Sequence, residues 1–320
     1  MVLTVTLNPI IEHRLYYGET VESGTNRNGR LGYYAGGKGI NVSRQLNKLG
    51  IKNLALTFLG GDHGRRLRSA LTAEEIAFTA VNTASETRYG SVIIDEGKRS
   101  VTHFFGENSI VSDSEVEGFK SRLEKMIQNC EYVVFSGSSP SPHCDDIFAY
   151  GLEIAGKYDK TSILDTYGKS LHLAIEKNPT VLHLNRKEAS EYTGETLETE
   201  QEILDALKIF AAKGVKISII TDGSNPLYVN SFGFNYKVTP PAVDKLDETG
   251  SGDAFVAGFV YGLSHDEILT DIIKYATASG AANASMISVC EVEPDIIKSK
   301  FNEIIVEPVG KKMNLMNEMV

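Results

Sequence analysis

Short β-branched apolar runs alternate along the chain with segments whose apolar residues recur at helical spacing. Val2–Leu7, Leu54–Leu59, Tyr132–Phe135, Ser162–Leu164, Val181–Leu184 and Ile217–Ile220 read as strands. Val42, Leu46 and Leu49, then Leu67 and Leu71, and later Ile203, Leu204, Leu207 and Ala211 each fall on one helix face. Strand and helix in turn predict an α/β fold, a mostly parallel sheet covered by helices. Two stretches break the rhythm. Thr87–Phe105 reads as two strands around Asp95-Glu96-Gly97-Lys98, and Ile10–Ala35 is irregular and rich in Gly, Asn and Tyr. Parts of 10–35 and 87–106 are therefore expected to form a small β lid over one edge of the sheet.

Composition narrows the class. A chain of 320 residues buries a sizeable core without disulfides and reads as a single domain over 1–320. Its net charge of −10, with no basic run, argues against nucleic acid as a partner. No stretch approaches the roughly 18 apolar residues of a membrane span. The start, Met1–Leu7, reads as a strand rather than a signal peptide, so a cytoplasmic protein is expected. Cys130, Cys144 and Cys290 lack metal-ligand spacing, and the seven histidines form no metal set. The tail after Pro308 is polar and rich in Met and is expected to be poorly ordered.

An acidic protein that binds phosphates must gather its donors locally, and one segment does so. Asp247-Glu248-Thr249-Gly250-Ser251-Gly252-Asp253 precedes Val256, Phe259, Val260 and Leu263 at helical spacing. Glycines before a helix leave its first N–H groups open to an anion. Asp253 then stands in the first turn, placed to take a proton from a hydroxyl. Ser251 and Asp253 would equally serve as ordinary helix-start residues. Gly36-Gly37-Lys38-Gly39 also leads into an amphipathic helix. Gly32 to Lys38 meets the first part of a P-loop, but Gly39 stands where Ser or Thr should follow, so that reading fails. What remains is a tight turn with one cation, Lys38, and one amide, Asn41, suited to a polyol or sugar phosphate. Ser136-Gly137-Ser138 lies at a strand's carboxyl end, where open α/β sheets place ligands. Asn185 and Glu188, spaced i, i+3, could hold a hydrated Mg²⁺ or simply cap a helix. Arg27 and Arg88 could close on a phosphate or be solvated.

Taken together, Thr6-Leu7-Asn8-Pro9, Gly36–Arg44 and Thr249–Asp253 resemble the PfkB, ribokinase-like family of carbohydrate kinases. The closer likeness is to its 1-phosphofructokinase and tagatose-6-phosphate kinase branch. The resemblance implies a three-layer α/β/α sandwich with a small β lid, ATP and Mg²⁺, and a homodimer formed through the lid. It implies ATP-dependent phosphorylation of tagatose 6-phosphate, fructose 1-phosphate or fructose 6-phosphate to the bisphosphate. It makes Gly250, Ser251 and Gly252 amide donors and Asp253 the base. Glu12, Gly36, Gly37, Lys38 and Asn41 would contact the sugar, Arg27 and Arg88 its phosphate, and Ser136 and Ser138 would close the pocket. Asn185, Thr221, Gly223, Gly250 and Gly252 would meet the nucleotide, and Asn185 with Glu188 would govern Mg²⁺ through water. The chain departs from the pattern at Glu12, where the branch has Asp, and at His183-Leu184-Asn185, where it has Lys-Pro-Asn. Ser251 stands for Ala, and Asp222–Pro226 and Gly106–Ser109 also differ. A kinase of an unphosphorylated sugar or nucleoside, or a sugar-phosphate-binding regulator without catalysis, are the rival readings.

Overall fold

The computed structural model describes residues 1–310; all of the expected disordered tail except Val309 and Gly310 lies outside them. In chain order the strands are β1 (Val2–Thr6), β2 (Ile10–Tyr17), β3 (Arg30–Gly36), β4 (Asn53–Gly60), β5 (Phe78–Thr83), β6 (Tyr89–Asp95), β7 (Ser100–Phe105), β8 (Tyr132–Ser136), β9 (Thr161–Asp165), β10 (Val181–Asn185), β11 (Ile217–Asp222), β12 (Asn225–Ser231), β13 (Phe234–Thr239) and β14 (Ile305–Val309). The α-helices are α1 (Lys38–Lys48), α2 (Gly61–Ala73), α3 (Asp113–Gln128), α4 (Ile147–Lys157), α5 (Gly168–Ile175), α6 (Arg186–Thr193), α7 (Glu200–Ala212), α8 (Ser251–Ser264), α9 (Leu269–Ala284) and α10 (Pro294–Phe301).

The main sheet runs β14-β13-β12-β11-β10-β9-β8-β1-β4-β5. From β5 to β11 neighbouring strands are parallel, and the three beyond are antiparallel. The two-residue period of a strand builds both cores. Val133 and Phe135 of β8 pack on one face against Phe119, Phe148 and Phe210 of α3, α4 and α7. Val134 points the other way, into a core with Val42 of α1, Phe255 and Phe259 of α8 and Ile273 of α9. Helices cover both faces, which makes a three-layer α/β/α sandwich. It also explains why the central strands carry apolar residues on both faces instead of alternating.

The second sheet has the order β3-β2-β6-β7. Ile10–Ala35, irregular by its sequence pattern, holds the antiparallel strands β2 and β3. Its alternation is hidden because His, Tyr and Gly occupy a sheet exposed in part on both faces. Ile11 and Ala35 fasten this sheet to Leu67 and Leu71 of α2. The parallel strands all end on one edge of the main sheet, so Asn8, Ser136, Asp165, Asn185 and Thr221 follow or terminate β1, β8, β9, β10 and β11 there.

Candidate active site

Helix α8 begins in an unusual way. Gly250, just before it, has φ 77°, and a Cβ there would lie 2.3 Å from Val289 Cγ1. Both facts demand glycine. The Ser251 amide closes a turn on the Glu248 carbonyl at 3.0 Å, while the amides of Gly252 and Asp253 find no acceptor among the described residues. With the Gly250 amide also without an acceptor among the described residues, three donors are left open at this helix start, and of the expected donors only Ser251 is engaged. Gly250, Ser251 and Gly252 are half-buried and reachable; Asp253 is only 4% exposed. The turn is held from behind by Asn283, whose Nδ2 donates to the Thr249 carbonyl at 2.8 Å and the Ser251 hydroxyl at 3.2 Å. His103 of β7 shares a 3.0 Å hydrogen bond with the Thr249 hydroxyl, joining the small sheet to the same turn.

Helix α1 starts opposite. Gly37 caps it at φ 119°. Asn41 Nδ2 donates to Asp253 Oδ2 at 2.8 Å. Lys38 Nζ lies 3.1 Å from Asp165 Oδ1 and 3.5 Å from Glu188 Oε1, at the start of α6. The starts of α1, α6 and α8 therefore meet within side-chain reach. Asp165 also accepts from the Ser136 hydroxyl at 2.7 Å, and His183 Nδ1 lies 3.4 Å from it. The His183 ring stacks on Phe255, and its Nε2 lies 3.2 Å from the Thr221 hydroxyl.

These neighbours push two buried carboxylates apart. Burial raises the Asp253 carboxyl to about 7, with Asp165 adding and Lys38, Asn41 and His183 opposing. Burial also works against ionisation of Asp165, yet Lys38, His183 and Ser136 outweigh it and hold that carboxyl below its usual range. For Lys38, burial opposes the charge, but Asp165, Glu188 and Asp253 keep the ammonium protonated well above its usual value. A carboxylate poised near neutrality beside a fixed anion–cation pair has the chemistry to exchange a proton near neutral pH.

A second cluster sits at the small-sheet side. Arg88 donates to the Asn8 carbonyl at 3.0 Å and to Asn108 Oδ1 at 3.4 Å. Asn8 Nδ2 reaches the Ser138 hydroxyl at 3.1 Å and Asn108 Oδ1 at 2.9 Å. Arg88 Nε, Asn8 Oδ1 and Thr6 Oγ1 are buried without partners among the described residues. Such orphans are rare in folded proteins and fit a site that a polar ligand completes. Glu12 is bound by Arg14 at 2.7 Å, both buried, and Gly36 pairs with Ile10 in the small sheet. Ser136 is fully buried behind Asp165, and Arg27 lies on the exposed loop between β2 and β3, so neither joins this cluster directly.

On the remaining side, Asn185 and Glu188 form a reciprocal cap at the start of α6, with both hydrogen bonds at 2.9 Å. The capping alternative is thus realised, but Glu188 Oε1 still faces Lys38. One carboxylate oxygen free of the cap, beside an ammonium, fits Mg²⁺, which keeps most of its water ligands. Gly223 turns β11 into β12 at φ 57°, next to the Arg186–Asp222 pair at 2.9 Å. Asp165, Arg44, Asn8 and Asn108 are not singled out as site residues by the sequence. For Asp165 the usable signal is an acid ending an apolar strand at the ligand-binding edge.

A family model described as pfkB family carbohydrate kinase matches residues 6–296. Over 312 residues, 97% of this chain and 99% of the relative, the sequence is 30% identical to a 1-phosphofructokinase of Borreliella burgdorferi. Over 307 residues, 95% and 97% of the two chains, it is 30% identical to a tagatose-6-phosphate kinase of Staphylococcus epidermidis. The structure of a possible 1-phosphofructokinase from Thermotoga maritima matches with a TM-score of 0.87 at 26% identity, covering 97% of this chain and 100% of that one. Phosphofructokinase-2 from Escherichia coli shares the fold at a TM-score of 0.86 and 21% identity, over 94% and 98% of the chains. With a family model matching residues 6–296, most of its length, this chain belongs to the pfkB family of carbohydrate kinases.

Proposed function

We propose that this chain transfers the γ-phosphoryl group of ATP to a ketohexose phosphate, giving the bisphosphate and ADP. Tagatose 6-phosphate, fructose 1-phosphate and fructose 6-phosphate are the candidate acceptors, matching the kinds of enzyme it resembles. The observation that carries the reading is Asp253, buried and shifted toward neutrality, directly beside the open amides of Gly252 and itself.

Asp253 accepts the proton of the acceptor hydroxyl as that oxygen bonds to phosphorus and the bond to ADP breaks. The Gly252 and Asp253 amides and the Lys38 ammonium face the charge on the moving group. Arg88, with Asn8, Asn108 and Ser138, holds the phosphate already on the sugar. The nucleotide lies along Asn185, Thr221 and Gly223. Mg²⁺, held through water by Glu188, would neutralise phosphate charge. Residues 1–310 act as one kinase unit, with the small sheet as a lid that excludes water. That sheet exposes Leu31, Tyr33, Tyr89, Phe104 and Phe105, a surface suited to pairing with a second copy, which could also bring in Arg27. No helix of the described residues is long and apolar enough to cross a membrane.

Turnover on the three sugar phosphates and on free ketohexoses tests the substrate class; preference for a free sugar or a nucleoside overturns it. Arg88→Met is expected to raise KM for the sugar phosphate about 10–100-fold, the worth of a charge-assisted contact, while KM for ATP stays within about twofold. Equal changes in both KM values would remove Arg88 from the phosphate end.

A further inference from the structure

Asn41 donates to the catalytic base, but an Asn side chain has two ends of nearly equal shape. Turned over, Asn41 would present its oxygen to Asp253 Oδ2 and repel the ionised carboxylate. Something must fix the amide, and the fixing group is visible one turn along α1. Arg44 Nη1 donates to Asn41 Oδ1 at 2.8 Å. A guanidinium can only donate, so the amide oxygen is forced toward it and the NH₂ toward Asp253.

Arg44 is itself locked. Its Nε lies 2.7 Å and its Nη2 2.6 Å from Glu74 Oε2, and Nη2 also donates to the Ala35 carbonyl. Glu74 Oε1 accepts the Ala35 amide at 2.9 Å, so the pair clasps β3 by both backbone groups. The same Nη1 reaches the Val289 carbonyl at 3.4 Å, on the residue that fills the space behind Gly250. Arg44, Asn41 and Asp253 are 6%, 8% and 4% exposed, so no water competes freely for these bonds. An ion pair needed only to hold α1 against α2 would leave Nη1 with no reason to aim at Asn41.

We infer that the Arg44–Glu74 pair is a positioning device for the base: it sets the Asn41 amide so that Asp253 is held ionised and aimed at the acceptor. This rests on Asp253 being the base, as proposed above. The charged and titratable groups around Asp253 are Lys38 on α1, Asp165 ending β9, His183 on β10 and Cys290 beyond α9; none of them contacts Asn41 Oδ1.

The test is steady-state transfer from ATP to the best of the three sugar phosphates, across pH, for wild type, Arg44→Lys and the double variant Arg44→Met/Glu74→Met. Lys keeps the charge but not the fork. The double variant replaces a buried pair with apolar groups of similar size, a change that often leaves stability intact. Both variants are expected to lower kcat about 10–100-fold with each KM within about threefold, as for an interaction needed in the transition state. Both are also expected to move the acid limb of kcat/KM to higher pH, since losing a donor to the ionised form raises a carboxyl. A purely structural role lowers the melting temperature without moving that limb. Folded variants with kcat within about twofold of wild type and an unmoved limb overturn the inference, as does failure of both to fold. An inactive wild type on every sugar phosphate overturns the assigned reaction instead.

Discussion

Asp253→Asn lowers kcat by about 10²–10⁴-fold, the range for loss of a general base, while the affinities for sugar phosphate and ATP are kept. The amide is nearly the same shape, accepts the Asn41 hydrogen bond through its oxygen, and leaves the backbone donors of Gly252 and residue 253 untouched. Only the capacity to take a proton disappears. The wild type supplies the matching pH signature. Burial first, then Asp165, raises Asp253 to about 7, so kcat/KM climbs as pH passes through that region and the carboxylate forms. Stability runs the other way. A carboxyl raised on folding contributes stability that is full below its unfolded value, near 4, and is lost as pH rises through about 7. Above that pH the Asn variant therefore melts higher than wild type. Titration calorimetry, initial rates and melting at pH 6 and 8 check all three; an unchanged kcat rejects Asp253 as the base.

Lys38→Met is the second large effect, and it reaches two places at once. The variant leaves Asp165 and Glu188 facing each other without the ammonium between them. A sealed pair loses about 3–5 kcal/mol when one partner goes; with 32% of the Lys38 side chain open to solvent, screening reduces this to about 1–3 kcal/mol. The catalytic loss is larger. A cation aimed at the transferring group is worth about 10²–10³-fold in kcat. Without Lys38 the Asp253 carboxyl also rises further, so the acid limb moves to higher pH. Chemical denaturation with rate profiles separates the two effects. A variant that loses stability but keeps kcat would make Lys38 a structural cation only.

The parts legible in the sequence are those whose physics is local. β1, β4, β8, β9, β10 and β11 are apolar on both faces because helices cover both, and such runs are plain without coordinates. β13 and β14 form the partly exposed edge of the sheet, so their residues are mixed and their pattern is weak, while β12 is buried but interrupted by Asn225, Pro226 and Asn230. Gly250 to Asp253 is legible as a local pattern of two glycines and an acid at a helix start, and the company of Gly36–Arg44 distinguishes it from an ordinary cap. Asp165 is not legible, since its meaning depends on Lys38, Ser136 and His183, which the fold brings from three other segments. Arg44 looks like one more polar position of an amphipathic helix. The Arg88 cluster is half legible: Arg88 stands out as a cation, but Asn8 and Asn108 meet only because β1 and the segment after β7 end side by side.

The convergence of three helix starts has a consequence for how ligands arrive. In the proposed reaction the pull on phosphate would come from backbone dipoles and a few shielded cations, which act over a few ångströms, whereas the acidic exterior acts on anything within a Debye length. Both reactants are anions approaching a body of charge −10, so the long-range field slows their encounter and only the last step rewards it. Added salt screens the repulsion more than the enclosed attraction, and moderate ionic strength quickens capture, the reverse of an enzyme that draws its substrate in from afar.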